Sequence, residues 1–199
     1  SSSAGGPDLS GQHLGWIMYS DGTYTQEYDS SKTAIGIIVE CDDDTGAPEK
    51  ILSHKMGAVC AWATAWGATN NCGTETDDGE DNLGKIQVAD SPFNIADYPV
   101  FKSAQDLGAH GLGASWEPWY VPASEDFLKI KLNYEKITAA LDKFGSMSGL
   151  VDFSQEFWTS SQSGSTTAYK VSVDGGAYNI SSSAKTESYN AVFMTEIND

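Results

Sequence analysis

The sequence is poor in positive charge. Of its 199 residues, 11 are lysine or arginine and 28 are aspartate or glutamate, which gives a formal net charge of -17. Nucleic acids and anionic membrane surfaces are bound through clustered basic side chains, so we expect neither as a partner. Cations, neutral glycans and basic proteins are compatible with this charge.

Long apolar runs are also lacking. A helix that crosses a bilayer needs about 20 consecutive apolar residues, and no stretch of the sequence approaches that length. The chain opens with a polar, glycine-rich stretch instead of a charged and then apolar export signal. We therefore expect no membrane insertion. We expect a secreted or cell-surface protein, lipid-anchored if such a signal has been removed.

Cysteine is scarce: the sequence has three, Cys41, Cys60 and Cys72. No Cys-x-x-Cys pair exists and the three histidines are scattered, so the spacing does not predict a zinc site. Two interpretations stay open for the cysteines. Cys60 and Cys72 form a disulfide in an exported protein, or all three are buried free thiols.

Length and composition predict one globular domain. A chain of 199 residues with 40% hydrophobic content can bury a sizeable core. Residues 1–14 are small, polar and rich in glycine, which is typical of a flexible segment. We predict a flexible leader over 1–14 and a single domain over 15–199.

A hairpin is predicted near the start of this domain. Trp16–Tyr19 has the pattern of a short strand and Ala34–Cys41 that of a buried strand, with which Ile51–Leu52 can pair antiparallel. The tip at 42–46 carries three consecutive aspartates. Contiguous carboxylates at a strand end point in different directions, so we favour a solvated turn over a cation site.

The segment 67–84 consists almost entirely of Gly, Thr, Asn, Asp and Glu and is predicted as a long loop. Part of it resembles a calcium loop. The EF-hand pattern needs an acidic residue at its twelfth position, which is Val88 when counted from Asp77. We favour a hydrogen-bonded turn and expect no cofactor, with calcium as the alternative left open.

Two helices follow from periodicity alone. Tyr98–Leu107 carries apolar side chains at three-residue spacing and stops before Gly108. Tyr134–Phe144 has one apolar face and is terminated by Gly145.

A third helix is predicted after Pro122, between the other two. Proline fixes its own φ, suits the first turn of a helix and biases the residue before it toward extended structure. Ser124 can cap this helix, or Ala123 occupies the cap position with Asp126 three residues later. A strand therefore ends and a helix begins at this point.

After Gly149 the pattern changes to that of strands. Phe157–Ser160, Thr167–Val173 and Ala191–Ile197 are predicted strands, separated by a glycine turn at 174–176 and by a loop rich in serine and asparagine. The order of hairpin, helices and sheet predicts an α+β fold.

With these pieces in order, the sequence resembles the DUF1566-type domains, a bacterial group with a C-type lectin-like fold. The resemblance implies small antiparallel sheets with two or three helices. This chain departs from the family at Ala123, where serine or threonine is usual, and in a last strand without arginine. The matching pieces are short and collinear and span most of residues 15–198: Ala34–Val39, Gly67–Thr69, Asp78–Asn82, the helix at Tyr98–Leu107, Trp119–Pro122, the helix pair after it, Phe157–Ser161 and Ala168–Gly175.

The resemblance implies a scaffold that displays a binding face on secreted, lipid-anchored or surface proteins, some of them the variable proteins of diversity-generating retroelements. It implies no reaction. Calcium-dependent sugar binding by C-type lectins uses a Glu-Pro-Asn type of motif, and this chain has Glu117-Pro118-Trp119. The lectin calcium site is therefore not transferred to it.

No catalytic motif is complete. Gly113-Ala-Ser115-Trp-Glu117 lacks the final glycine of a nucleophile elbow. Gly111-Leu-Gly113 lacks the last glycine of a dinucleotide fingerprint. We predict that the protein is not an enzyme, with a hydrolase as a minority alternative.

The segment 158–190 concentrates Ser, Thr, Tyr, Gln and Asn, a composition typical of binding surfaces. We predict a module that binds a glycan or a protein through its C-terminal loop face. The alternative is a structural subunit or accessory domain of a larger surface assembly, fimbria-like or part of a lipoprotein. The predicted ligand contacts are Trp116, Ser161, Gln162, Tyr178, Tyr189 and Asn190. Trp158 and Tyr169 lie inside strand patterns and are interpreted as core residues.

Overall fold

The structure, a computed structural model, describes residues 5–198. Within that range the chain folds into two five-stranded sheets and four α-helices. The α+β class is therefore confirmed, and the more specific C-type lectin-like fold stays a prediction. The strands are β1 (Ile17–Tyr19), β2 (Tyr24–Thr25), β3 (Ala34–Cys41), β4 (Pro48–Ser53), β5 (Gly57–Ala61), β6 (Phe157–Gln162), β7 (Thr167–Ser172), β8 (Asn179–Ala184), β9 (Ser188–Ala191) and β10 (Met194–Glu196). The helices are α1 (Gly79–Ala89), α2 (Pro99–Asp106), α3 (Phe127–Leu132) and α4 (Tyr134–Lys143), with 3-10 turns at Trp66–Ala68, Ile95–Asp97 and Asp174–Gly176.

The first sheet has the strand order β10-β4-β3-β1-β2, and all its pairs are antiparallel. The predicted hairpin is confirmed, because Ile38 pairs with Ile51 and Ile37 with Leu52. Both faces of β3 are covered: Ile37 joins one hydrophobic cluster and Ile38 the other. This double burial explains the apolar run of β3, since the five consecutive positions from Ile35 to Val39 are buried.

The second sheet has the order β5-β9-β6-β7-β8, with β6 and β9 parallel and the other pairs antiparallel. Its edge strand β8 pairs with β7 without interruption, from Asn179 opposite Ser172 to Ala184 opposite Thr167. The prediction of a loop in this serine-rich segment is wrong. Main-chain pairing with β7 makes it a strand although its side chains do not alternate between apolar and polar.

The predicted strand Ala191–Ile197 is two strands in two different sheets. Gly57 of β5 pairs with Ala191 of β9, whereas Met194 of β10 pairs with Leu52 of β4. Val192 and Phe193 connect β9 to β10 and are fully buried. The apolar run is continuous because the chain passes from one sheet to the other through the core.

Helices α2 and α4 confirm their predictions to within one or two residues at each end. Helix α3 begins at Phe127 and not directly after Pro122, because residues 124–126 form a turn. In that turn the Asp126 carboxylate accepts a hydrogen bond from the Ala123 N–H at 2.8 Å, and the Asp126 N–H donates to the Ala123 carbonyl at 3.1 Å. The residue before α3 is Asp126 and it makes no side-chain cap bond, so the prediction that Ser124 or Ala123 caps this helix is wrong.

Helix α1 occupies part of the segment predicted as a loop, so that prediction is wrong from residue 79 onward. Asp78 caps the helix by accepting from the Glu80 N–H at 3.0 Å, and Glu80 and Asp81 lie in its first turn, where the helix dipole favours negative charge. With α1 the described residues contain four helices, one more than the two or three expected.

The helices flank different sheets. Helix α1 contacts β6 and α2 contacts β5, whereas α3 and α4 contact β3. Trp158 is fully buried in the core, as interpreted from the sequence, and Tyr169 is half-buried.

Part of the predicted leader contacts the tip of the β3–β4 hairpin. The Leu9 N–H donates to the Asp43 carbonyl at 2.8 Å, and His13 Nδ1 lies 2.7 Å from the Gly46 carbonyl oxygen. The tip itself is a turn in which Asp42 accepts from the Thr45 N–H at 2.6 Å. Residues 1–4 lie outside the described residues.

All three cysteines are free thiols, and the disulfide between Cys60 and Cys72 is not formed. Cys41 and Cys72 are buried and Cys60 is half-buried. Burial raises the pKa of each thiol, which favours the unreactive protonated form.

Candidate functional site

The six predicted contact residues lie in separate parts of the fold. Trp116 forms an isolated bridge with Ile197, Ser161 and Gln162 end β6, Tyr178 precedes β8, and Tyr189 and Asn190 lie in β9. The structure brings two of them, Ser161 and Tyr178, to a shared partner.

That shared partner is Ser124, in the turn before α3. The Ser161 hydroxyl accepts from the Ser124 N–H at 3.0 Å and donates to the Glu75 carbonyl at 2.7 Å. The Tyr178 hydroxyl donates to the Ser124 carbonyl at 2.8 Å. Ser161 is fully buried and Tyr178 half-buried, and burial raises the pKa of Tyr178. Ser161 therefore has no exposed surface for a ligand, and both hydroxyls hold the turn in place.

Gln162 belongs to a cage around a buried lysine. Its Oε1 accepts from the Cys72 N–H at 2.9 Å and from the Lys185 ammonium at 3.2 Å. Lys185 is fully buried and donates to the carbonyl oxygens of Gly67 and Ser165 at 2.9 Å and of Asn70 at 3.0 Å. The cage binds the loop after β5 to the β6–β7 turn.

The positive charge of Lys185 is stabilised by carbonyl dipoles and by an aromatic ring. Burial lowers the pKa of Lys185, and the Trp62 ring lies 4.7 Å from the ammonium. Cation–π contact and carbonyl oxygens compensate for part of the lost hydration. Sequence reasoning missed this lysine, because an isolated lysine in a polar stretch gives no signal of burial.

Tyr189 packs against the hydrophobic cluster that contains Trp158. Its hydroxyl donates to the Glu187 carboxylate at 2.9 Å, and the Lys170 ammonium is 4.3 Å from its ring centre. The ring packs edge-on against Trp158, with centres 4.9 Å apart. Asn190, next in β9, donates to the Gly57 carbonyl at 2.9 Å. Tyr189 is half-buried and keeps an exposed part, whereas the Asn190 amide serves the pairing of β9 with β5.

Trp116 lines an open cleft, which we call the tryptophan cleft. Its volume is about 590 Å³, and its walls include Trp116, Pro118, Trp119, His110 and Gln105. Three glycines with positive φ, at 108, 111 and 113, shape the loop on one side of it. The walls are mainly apolar and aromatic, as in most sites for small ligands.

His110 lies on one wall of the tryptophan cleft and is held there by hydrogen bonds. Its Nε2 lies 2.7 Å from the Glu117 carbonyl oxygen, and its Nδ1 accepts from the Leu112 N–H at 3.1 Å. These two bonds assign the proton to Nε2. The ring packs edge-on to Trp119, with centres 5.6 Å apart, so the position of one wall is set by a fully hydrogen-bonded histidine.

A smaller cleft of about 210 Å³ adjoins the first and shares Pro118 and Trp119 with it. Glu80 and Glu117 lie on its wall. Glu80 is hydrogen-bonded to Glu196. The Lys50 ammonium lies 2.7 Å from Glu196 Oε2 and 3.1 Å from Asp126 Oδ1.

The charges around Lys50 perturb one another. Burial acts to lower the pKa of Lys50, but the charges of Asp126 and Glu196 outweigh it and raise the pKa. Burial raises the pKa of Asp126. Burial and the hydrogen bond with Glu196 raise the pKa of Glu80 to about 8, so Glu80 carries a proton at neutral pH.

The calcium alternative has one candidate set among residues 5–198. Oxygens of Asp78, Glu80 and Glu196 lie within 4.8 Å of one another. A cation bound there would compete with the Glu80 proton and with the Lys50 ammonium for Glu196.

Comparison with known proteins shows a shared fold. No family model and no curated protein matches the sequence. The structure is similar to the crystal structure of a fimbrial protein from Bacteroides ovatus, with a TM-score of 0.66, 16% sequence identity and coverage of 92% of this chain. This chain spans 48% of the length of that protein. The fold is therefore that of an α+β domain also found in a fimbrial protein. Among residues 5–198, no helix combines the length and the apolarity needed to cross a membrane.

Proposed function

We propose that this chain is a non-catalytic structural domain of a bacterial surface assembly of the fimbrial kind, joined to a neighbouring copy through the edge strand β8. The fold shared with a fimbrial protein supports the assembly role over the ligand-binding role that the sequence favours. The proposal includes a secreted or cell-surface location. A C-type lectin-like scaffold, implied by the resemblance to DUF1566-type domains, suits either role.

The observation that carries this proposal is the open edge of β8. One side of the strand is paired with β7 along six residues, and its other side faces no strand among residues 5–198. All its residues except Ser183 are exposed. Edge strands of soluble proteins are commonly protected by charged side chains, proline or a bulge. The sequence of β8 is Asn-Ile-Ser-Ser-Ser-Ala, which contains no charged residue and no proline. Its pairing with β7 is in continuous register, without a bulge.

The occupant we propose for this edge is an extended segment of a second copy of the chain. Adding a strand to an open edge supplies main-chain hydrogen bonds regardless of side-chain identity. Two copies with a net charge of -17 repel each other over most of their surface. The uncharged β8 lets them approach without placing like charges opposite each other. Ile180, 44% exposed, adds an apolar contact.

The test is the oligomeric state of the purified chain, measured by sedimentation velocity over a wide range of protein concentration. We expect concentration-dependent assembly, and we expect Ile180→Lys to abolish it. Val88→Lys is the matched control, because Val88 is an 84% exposed valine on α1. A chain that stays monomeric throughout, or an Ile180→Lys variant that assembles like the unaltered chain, contradicts the proposal.

A second candidate function is ligand binding in the tryptophan cleft, favoured by the two tryptophans and the proline on its walls. Such surfaces stack against sugar rings and against apolar side chains. On a glycan array, with and without chelator, Trp116→Ala should lose binding. Trp66→Ala should keep it, because Trp66 is 40% exposed and lies outside the cleft. Equal binding by both variants rejects the cleft as the site.

A further inference from the structure

A second cavity, which adjoins the tryptophan cleft, is basic although the protein is strongly acidic. Its volume is about 390 Å³, and its lining contains two lysines and two histidines but no aspartate or glutamate. The whole sequence has 28 acidic and 11 basic residues, so a cavity without a carboxylate on its wall departs from the overall composition. The polar side chains on its wall are Tyr28, Lys32, Thr33, Ser53, His54, Lys55 and His110. We call it the basic cavity.

His54 is the buried polar group of this wall. It follows β4, is 6% exposed, and stacks on Phe144 with ring centres 4.8 Å apart and planes 20° apart. Its Nδ1 is buried and has no hydrogen-bond partner among the described residues. Buried polar atoms in folded proteins nearly always have a partner, and the residue that carries this unpaired nitrogen lines the basic cavity.

Lys55 supplies the positive charge. Its side chain is exposed, and within residues 5–198 no carboxylate lies within ion-pair distance of its ammonium. The other lysine of the wall, Lys32, is held by the Thr23 hydroxyl at 2.6 Å and by the Asp21 carboxylate at 3.3 Å. Lys55 is therefore the cation that is available to a ligand.

We propose that the basic cavity binds a small organic carboxylate, with the Lys55 ammonium as its charge partner and the His54 Nδ1 as a hydrogen-bond donor. The hydroxyls of Ser53 and Tyr28 lie on the same wall and can bind polar groups of the ligand. The basic cavity and the tryptophan cleft share Ala109, His110 and Trp119. A sugar acid can thus bind with its carboxylate at Lys55 and its sugar ring toward Trp119. This inference does not depend on the assembly proposed for β8.

The affinity of this site should rise as the pH falls. Burial lowers the pKa of His54, a backbone hydrogen bond with Ile35 acts in the opposite direction, and the nearby charge of Lys55 acts in the direction of burial. The net shift is downward, so the ring is neutral at pH 7.5. A bound anion favours the protonated ring and raises its pKa, so binding takes up a proton. The other titratable groups on the wall are Tyr28, Lys32, Lys55 and His110. The two nitrogens of His110 already bond to Glu117 and Leu112.

The test is calorimetric titration of the unaltered chain with glucuronate at pH 5.5 and pH 7.5, with glucose and inorganic phosphate as comparison ligands. We expect glucuronate to bind more tightly at the lower pH and glucose not to bind. Phosphate that binds with the same dependence on Lys55 would support the anion site and assign it to oxyanions in general. Failure of glucuronate and phosphate to bind at either pH overturns the proposal, and so does equal binding of glucose.

Variants locate the binding. Lys55→Gln removes an exposed charge without disturbing the core and should weaken glucuronate binding about fivefold or more, the factor that corresponds to about 1 kcal/mol. Lys131→Gln is the matched control on α3 and should leave the affinity within about twofold. His54→Phe keeps the ring stack on Phe144 and should remove the pH dependence. Equal effects of Lys55→Gln and Lys131→Gln would place the anion elsewhere and overturn the proposal.

Discussion

The Lys50 ammonium lies 2.7 Å from the Glu196 carboxylate and joins β4 to β10, two strands that are far apart in the sequence. The same ammonium is 3.1 Å from Asp126, next to the first residue of α3. All three side chains have little exposed surface. Removing one partner of such a cluster leaves the others charged and poorly hydrated.

Lys50→Met should therefore be strongly destabilising. We expect the free energy of unfolding at pH 7 to fall by about 3–5 kcal/mol, the usual cost of breaking a buried ion pair, as measured by chemical denaturation. Lys85→Met is the control, because the Lys85–Glu75 pair, at 3.3 Å, is more exposed. Its removal should cost about 1 kcal/mol or less. A Lys50→Met variant as stable as the control would show that the cluster does not stabilise the fold.

Glu80→Gln should change the pH dependence of stability. The pKa of Glu80 is raised from 4.5 to about 8 by burial and by Glu196, so the folded state binds more protons than the unfolded state between these values. Stability from this group is present below pH 4.5 and is lost as the pH rises toward 8. Glutamine keeps a hydrogen-bond donor toward Glu196 without the ionisation.

The variant should therefore gain stability relative to the unaltered chain as the pH rises. Because Glu80 is partly exposed, we expect a gain of no more than about 1 kcal/mol above pH 8, measured by thermal denaturation at several pH values. Asp81→Asn, in the same helical turn, should give a difference that does not change over this range. A constant difference for Glu80→Gln as well would contradict the raised pKa.

Two glycines of α1 should respond oppositely to alanine. A Cβ on Gly79 would lie 2.5 Å from the Ala123 nitrogen and 2.8 Å from Asp126 Oδ2. It would also disturb the bond that the Gly79 N–H donates to Asp126 at 3.1 Å. Gly79→Ala should lower the free energy of unfolding by about 2 kcal/mol or more.

Gly84 provides the matched position in the same helix. A Cβ there meets nothing within 4 Å, and alanine favours the helix over glycine by about 1 kcal/mol. Gly84→Ala should raise the midpoint of thermal unfolding, while Gly79→Ala should lower it. Equal shifts of the same sign would mean that Gly79 is not in close contact with the turn before α3.

Lys185→Met should open the loop after β5. The substitution leaves the carbonyl oxygens of Gly67, Asn70 and Ser165 without their charged donor, at a cost of about 3 kcal/mol. Cys72 is buried beside this lysine. The rate at which a thiol reagent labels Cys72 should therefore rise.

Cys41 is the internal control for this measurement, because it is buried in β3. Its labelling rate should change much less, since the loop can open without global unfolding. Equal acceleration at both cysteines would indicate loss of the whole fold instead of a local effect of the cage.

Sequence patterns predicted an element correctly where the signals for that element lie within its own residues. The buried run of Ala34–Cys41 and the apolar face of Tyr134–Phe144 predicted β3 and α4 closely, because periodicity and end signals lie inside each segment. The strand predicted to end at Pro122 is reduced to a single bridge between Tyr120 and Met194, and the turn held by Asp126 delays the start of α3.

The missed elements depend on distant partners. Strand β8 exists because it pairs with β7, and its sequence, Asn-Ile-Ser-Ser-Ser-Ala, has no local pattern that predicts this pairing. Helix α1 contains two glycines and an asparagine, which lower its helix propensity. Its start lies against the turn before α3, in contacts that local patterns do not contain.

The candidate site was predicted least well. Trp116 was predicted as a ligand contact and lines the tryptophan cleft. Ser161 was also predicted as a contact, but it is fully buried. The basic cavity was missed because it is defined by a wall that has Lys55 and His54 but no acidic side chain. The spacing of residues in the sequence does not show which side chains share a wall.

The passage of Val192 and Phe193 between the sheets has a consequence for biosynthesis. The segment from β9 to β10 follows the other strands of residues 5–198 and contributes to both sheets at once. During translation the earlier strands emerge without the segment that completes either sheet. Native packing must therefore wait until this segment has left the ribosome.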